Sequence, residues 1–413
     1  SDGHPDYVDF VEKTERKRFS YFDYAKRFDA IFYEPDYWAH VFRKSGAQYV
    51  VLTSKHHEGF CNWDSRDIPT TWNWNVMDVG PRRDVLGDLS VAVKNVTSPY
   101  THKRLKFGVY HSLFEWFNQA YRQDQATNFT RQDFVNQKTL PELYDLVNRY
   151  EPEILWSDGS LDADSDYWKS TEFLAWYATE SSVAETAVWN DRWGRDSMCK
   201  HGGFLTCQDR YQPGKLIPQK WENALTIDTT SWGWNRNSTY EQYLTTEQLI
   251  HTLVETVAFN GNMLLNVGPR ADGGLPAIFI DRLYGIGEWL SVNGPAIYGT
   301  QPWDVAQHEP SQNTYYTTKN GFLYAIFTEW PDDDALELKF PTPTEHTIIS
   351  MIGYTDRVPY ADILGGGVKI YLPVLTPDIV PCEHAWVLSI SHVAELDHHH
   401  HHHHEGDEDT RTQ

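Results

Sequence analysis

Residues 141–160, PELYDLVNRYEPEILWSDGS, hold a helix, a strand and a turn in that order. Leu143, Leu146 and Val147 recur at helical spacing between Pro141 and Arg149. Pro152 to Trp156 is then an apolar run of strand length, with Asp158 exposed at its end and Gly159 letting the backbone turn away. A helix feeding a short buried strand that ends in polar residues is the repeating unit of a parallel α/β sheet.

The same unit recurs on both sides of this stretch. Apolar runs at Gln48–Thr53, Lys106–His111, Pro152–Trp156, Ala187–Asn190, Leu216–Trp221 and Asn262–Val267 are separated by helical segments. This pattern predicts a (β/α)8-like TIM barrel, whose site forms where strands run out at the C-terminal face. Thr245 and Gln248 have the spacing of a capping box, so a helix is expected over Thr245–Phe259, with Leu249, Leu253, Val254 and Val257 on its core face. A further helix, Phe279–Leu290, ends before the turn Asn293-Gly294-Pro295.

After Trp303 the period changes. Six β-type runs follow without a helical gap: Tyr315–Thr318, Leu323–Phe327, Leu336–Phe340, Thr347–Ile352, Val368–Leu372 and Ala385–Ile390. They predict a C-terminal β-sandwich. The expected division is a catalytic barrel over 1–300, the sandwich over 301–393 and a solvated His-rich, acidic tail over 394–413, either natural or a tag.

The chain has 413 residues, a formal charge of −23 and 17 Trp. Such a charge opposes binding to nucleic acid, which needs Lys and Arg to displace counterions. No run approaches the roughly 20 apolar residues of a membrane span. Trp rings in this number suit sugar faces, and core filling is the competing use of each. Asn95, Asn128 and Asn237 are glycosylation acceptors by sequon and favour a secretory route. Of the four cysteines, Cys199 and Cys207 are spaced to close a short disulfide loop. Zinc ligation by both with His201 is the alternative, without a fourth ligand at a recognisable spacing.

Asp158 at its strand end can attack an electrophile or cap the next helix. Glycoside hydrolysis needs a second carboxyl group, about 5 to 5.5 Å away in retaining enzymes. Asp209, in a loop just past Cys207, suits an acid that must meet varied leaving groups, and Glu222, closing Lys220-Trp221-Glu222, is the other candidate. Its alternative uses are to orient a hydroxyl or pair with a base. His56 and His57 follow a strand and could bind adjacent hydroxyls; neighbours on an extended chain make a poor chelate for a metal. Trp63 and Trp156 offer flat faces, and Arg192 a fixed donor fork that could also merely neutralise a carboxylate.

The strings YVVLTSKHHEGFCNW, KFGVYHSLFEW, PELYDLVNRYEPEILWSDG, WNDRWG, KWE, NMLLNVGPRADG and EWLSVNGPAIY together resemble the retaining α-L-fucosidases of glycoside hydrolase family 29, of the animal lysosomal and plasma type. The resemblance runs from Phe22 to about Val393. It implies a barrel followed by a β-sandwich, removal of terminal α-L-fucose from glycoproteins, glycolipids and oligosaccharides, no cofactor or metal, and frequent oligomers. It also implies Asp158 as nucleophile, Asp209 as acid/base with Glu222 as the older candidate, and fucose contacts at His56, His57, His111, Trp156 and Arg192. The family's opening strand, with an Ile-His-Trp-Gly type motif, is expected before Ser1. A chain without it is expected either to keep activity or to bind fucose without turnover.

Overall fold

The computed structural model describes residues 20–70 and 72–396. Helices and strands alternate through its first part: α1 (Pro35–Lys44), β1 (Tyr49–Lys55), α2 (Val85–Lys94), β2 (Lys106–Ser112), α3 (Gln119–Ala126), α4 (Leu140–Tyr150), β3 (Ile154–Asp158), α5 (Ser170–Thr179), β4 (Val188–Trp189), β5 (Trp221–Thr226), α6 (Thr246–Ala258), β6 (Gly261–Asn266) and α7 (Ala277–Asn293). β1 to β4 pair in sequence order, all parallel, and β5 pairs in parallel with β6. The architecture is a TIM-like (β/α) barrel, with six wall strands among the described residues, followed by a β-sandwich.

The unit at 141–160 forms for the reasons its sequence suggests. Pro141 occupies the first turn of α4, where no intrahelical N–H is required. Leu143, Leu146 and Val147 are buried beneath it. Glu151 ends the helix in the left-handed conformation, its N–H on the Val147 carbonyl. The chain then enters β3, whose Ile154 to Ser157 are buried on both faces, as a parallel strand between layers must be. Thr245 caps α6 reciprocally with Gln248.

One strand begins later than the sequence suggests. The run Leu216–Trp221 is loop up to Lys220, and β5 starts at Trp221. Pro218 has no N–H to give a ladder. The side chain of Asn260 instead donates to the carbonyls of Ile217 and Pro218, at 2.9 and 3.1 Å. Glu222 is therefore near the start of its strand, low in the barrel, rather than at the strand's outlet.

The second part contains β7 (Gln301–Pro302), β8 (His308–Glu309), β9 (Thr314–Lys319), β10 (Phe322–Phe327), β11 (Ala335–Leu338), β12 (Pro343–Met351), β13 (Tyr360–Asp362), β14 (Val368–Tyr371) and β15 (Trp386–Val393). One sheet runs β12-β15-β10-β9-β7, with β8 also on β9, and the other β11-β14-β13. Tyr316, Phe327, Leu336, Ile349, Ile370 and Leu388 belong to the core they share. Ala394 to Leu396, expected in the tail, adhere to this part: the Ala394 N–H meets the Thr342 carbonyl, Glu395 accepts from the Thr342 N–H, and Leu396 packs on the core. The His398–His404 run lies outside the described residues. Among those residues no helix is long and apolar enough to cross a membrane.

Candidate active site

Strand alternation decides which expected residues reach the barrel interior. On β3 Trp156 and Asp158 point inward, and on β2 Tyr110 does so beside them. The Tyr110 hydroxyl donates to Asp158 Oδ2 at 2.6 Å. Arg192, from the loop after β4, places Nη1 3.2 Å from Asp158 Oδ1 and Nη2 2.9 Å from Asp209 Oδ1. One guanidinium thus holds both carboxylates at the C-terminal mouth. Its carbon stands 4.7 Å above the Trp156 ring, Trp156 stacks on Tyr110, and Tyr110 stacks on His56. This series of flat groups fixes the plane of the guanidinium fork.

Gly159 follows Asp158 with φ +73°, and a Cβ there would lie 2.3 Å from the Phe114 ring. Only glycine lets the chain leave β3 at this angle. Burial alone would raise the pKa of Asp158. Arg192 first, then the Tyr110 hydroxyl and the Gly159 N–H, outweigh it, so the carboxyl is held below the ordinary aspartate range.

His57 Nδ1 is 2.7 Å from Ser112 Oγ, and Ser112 donates its single hydroxyl proton to the Phe114 carbonyl at 2.9 Å. Nδ1 must therefore carry the proton that His57 gives to Ser112. Burial, then the neighbouring His56, lowers the His57 pKa to about 4, so the ring is neutral at mildly acidic pH. Nε2 consequently presents a lone pair 3.8 Å from Asp158 Oδ2. A hydroxyl donor entering here would meet an acceptor on either side.

Asp209 lies on a loop tied down before it and after it. Cys199 and Cys207 form a disulfide, which removes them as zinc thiolates. The buried Asp191 carboxylate accepts from the Cys199 and Thr206 N–H groups at 2.6 and 2.9 Å, and the Arg210 N–H bonds the Ala224 carbonyl. Between these anchors the Asp209 side chain is 55% exposed. It can therefore move towards a leaving group while its backbone stays fixed.

Three expected residues are placed elsewhere. Glu222 is buried, with Oε2 accepting from the Tyr49 hydroxyl and Oε1 from the Trp156 indole N–H, both at 2.7 Å. Both its oxygens are engaged below the mouth, in keeping with its low position on β5. His111 alternates with Tyr110 and faces outward, wedged between Ser54 and Glu142. Trp63 is fully buried on the same outer side, donating to Asp145 of α4. Neither ring is open to the cleft, so these two are corrected as sugar contacts.

The sequence reading missed Tyr110, Ser112, Asp191 and Tyr49. Tyr110 had a legible signal, since it directly precedes His111, the last residue of the apolar run Lys106–His111. It also missed a buried ionic cluster behind the site. Lys55 Nζ meets Glu142 at 2.6 Å and Glu115 at 2.9 Å, and Lys138 meets Glu115 at 2.6 Å. Asn95, Asn128 and Asn237 are all exposed.

The α-L-fucosidase family model matches residues 1–295, and the model of the α-L-fucosidase C-terminal domain matches residues 307–391. The chain is 45% identical over 392 residues to the plasma α-L-fucosidase of Homo sapiens, covering 94% of this chain and 82% of that protein. It is 44% identical over 385 residues to an α-L-fucosidase of Branchiostoma floridae, covering 93% and 84%. Among solved structures it resembles the Thermotoga maritima α-fucosidase in complex with a mechanism-based inhibitor, with TM-score 0.77 and 30% identity over 94% of this chain and 86% of that one.

Proposed function

The chain belongs to the α-L-fucosidase family of glycoside hydrolases, and we propose that it cleaves terminal α-L-fucose by double displacement with retention at the anomeric carbon. The observation that carries this reading is the single guanidinium of Arg192 shared by Asp158 and Asp209.

In the first step an Asp158 oxygen attacks the anomeric carbon while Asp209, protonated, gives its proton to the departing glycosidic oxygen. The fucosyl group is then an ester of Asp158. In the second step the Asp209 carboxylate takes a proton from water, whose oxygen displaces Asp158 and restores the starting configuration. Arg192 and Tyr110 favour the ionised nucleophile. His57 accepts a sugar hydroxyl through Nε2, and His56 and Trp156 line the same cleft.

Terminal fucose on glycoproteins, glycolipids and oligosaccharides is the substrate class. A secreted or lysosomal setting is supported by the plasma relative, the disulfide and the three exposed acceptors. The catalytic unit is assigned to residues 1–300 and the sandwich to 301–393. A second reading is fucose binding without turnover.

Incubation with a 2-deoxy-2-fluoro-α-L-fucosyl fluoride, followed by peptide mapping, separates these readings. The expected result is a fluorofucosyl adduct on the peptide containing Asp158, with α-L-fucose as the first-formed anomer from an aryl α-L-fucoside. Initial release of β-L-fucose would rule out retention. Protection against thermal unfolding by fucose with neither adduct nor release would leave the binding reading.

A further inference from the structure

Tyr315 and Tyr316 are neighbours on β9, so their rings leave opposite faces of the sheet. Tyr316 is fully buried in the core shared by the two sheets, whereas Tyr315 turns to the barrel. There it meets the ring of Phe259, the residue that closes α6, edge-on at 6.2 Å and 87°. His308 lies flat on Tyr315, with ring centres 4.0 Å apart and planes 6° apart, and also meets Phe259 edge-on, at 6.4 Å. Two stacked rings of the sandwich therefore hold one ring of the barrel, in the edge-to-face geometry that aromatic pairs prefer.

Phe259 and Asn260 are also where the chain around Asp209 is fastened. The Phe259 carbonyl accepts the indole N–H of Trp221 at 2.8 Å, and the Asn260 side chain donates to Ile217 and Pro218. Trp221 is fully buried at the start of β5 and takes the Tyr211 ring edge-on, at 5.5 Å and 80°. Tyr211 stands two residues after Asp209, and its neighbour Gln212 donates to Thr256 of α6 at 3.2 Å. Leu205, Tyr211, Ile217 and Trp221 thus join Phe259 and Tyr315 in one small apolar cluster. The Asp209 carboxylate above it is 55% exposed and reaches Arg192 through one oxygen, so the backbone beneath decides where the carboxylate can stand.

We propose that the β-sandwich is a positioning element for proton transfer to the leaving group, with Tyr315 fixing the Asp209 segment through Phe259, Trp221 and Tyr211. The proposal rests on the acid/base reading of Asp209. Tyr315 and Tyr211 are positioning residues, and neither lines the cleft. Asp158 is held from another side, by Tyr110 of β2 and by Arg192. Loosening Tyr315 therefore weakens the step that needs an acid and spares the attack itself.

The test compares a fucosyl disaccharide, whose leaving oxygen needs a proton, with 2,4-dinitrophenyl α-L-fucoside, whose leaving group departs without one. Tyr315→Ala should lower kcat for the disaccharide about 10- to 100-fold, the cost of a catalytic group displaced by a fraction of an ångström to one ångström, with little change in KM. Turnover of the dinitrophenyl fucoside should stay within about threefold, because it makes no call on the acid. Tyr315→Phe, which keeps the ring contacts, should restore both rates to within about twofold. Tyr211→Ala should show the same split from the barrel side, and carries the test alone if Tyr315→Ala does not fold. The double variant should be no slower than the slower single one, since both act on one segment. Equal losses on the two substrates, no loss on either, or losses that multiply in the double variant would overturn the proposal. A split in Asp209→Ala that Tyr315→Ala and Tyr211→Ala lack would strike the positioning role alone; no split in Asp209→Ala would strike the acid/base reading and this proposal with it.

Discussion

Trp156 donates its indole N–H to Glu222 Oε1 at 2.7 Å, making a buried carboxyl group of the barrel interior the support of the ring on which Arg192 rests. Burial raises the Glu222 pKa to about 7, against the opposing bonds from Tyr49 and Trp156. A carboxyl raised in the folded state binds more protons folded than unfolded, so its stabilising contribution is full below about pH 4.5 and is lost as pH rises through about 7. At about 1.4 kcal/mol per pH unit, that window is worth roughly 3 kcal/mol. Glu222→Gln should therefore flatten part of the fall in Tm between pH 4.5 and 7. Because Gln offers one acceptor to two donors, kcat should also fall about tenfold, the cost of one poorly satisfied buried group. A loss comparable with that of Asp158→Ala would instead make Glu222 a participant in the chemistry.

Asp209→Ala should discriminate between leaving groups. Without an acid, the departure of a poorly stabilised alkoxide slows by about 10² to 10⁴, whereas a dinitrophenolate leaves almost unaided. Azide should then accelerate breakdown of the Asp158 ester and give fucosyl azide of retained configuration. Equal losses on both substrates, with no azide product, would remove Asp209 from the acid/base role.

Tyr110→Phe deletes the 2.6 Å bond to Asp158 and leaves the ring in its stack. Because Asp158 is held low partly by that bond, its pKa should rise. The proposed nucleophile works ionised, so the acidic limb of kcat/KM should move to higher pH. A hydrogen bond to a charged group is worth about 1.5 to 3 kcal/mol, so the rate at the optimum should fall roughly 10- to 100-fold. An unmoved acidic limb would show that another group controls it.

The barrel was legible because its strands are short apolar runs at a regular interval and Asp158 stands at the end of one. What escaped was orientation. His111 closes a run just as Asp158 does, but alternation turns it outward, and only its hydrogen bond to Ser54 and approach to Glu142 reveal this. Trp63 looked like a sugar platform because a single sequence does not show that Asp145 of α4 receives its N–H. Glu222 was misplaced by a few residues of strand register, since the loop role of Pro218 depends on Asn260, far along the chain. The Lys55, Glu115, Lys138 and Glu142 cluster is also non-local: four charges that look solvated in sequence neutralise one another in the barrel wall. The β-sandwich was easier to read, because its pattern of alternating residues and turns is local.

Trp232 is 40% exposed, lines the cleft, and carries the Arg210 guanidinium 4.9 Å from its ring, just beyond Asp209. An exposed aromatic ring beside the proposed acid/base residue suits the sugar that departs rather than the fucose that is attacked. Stacking contacts of this kind contribute about 0.5 to 1.5 kcal/mol beyond buried area. Trp232→Ala should accordingly raise KM for a fucosyl oligosaccharide roughly 3- to 10-fold and leave KM for a small aryl fucoside within twofold. It should leave the acidic limb of the pH profile in place, because Asp158 and its partners are untouched. An equal rise for both substrates would put Trp232 on the fucose side of the bond, and no rise for either would make it surface packing for Arg210.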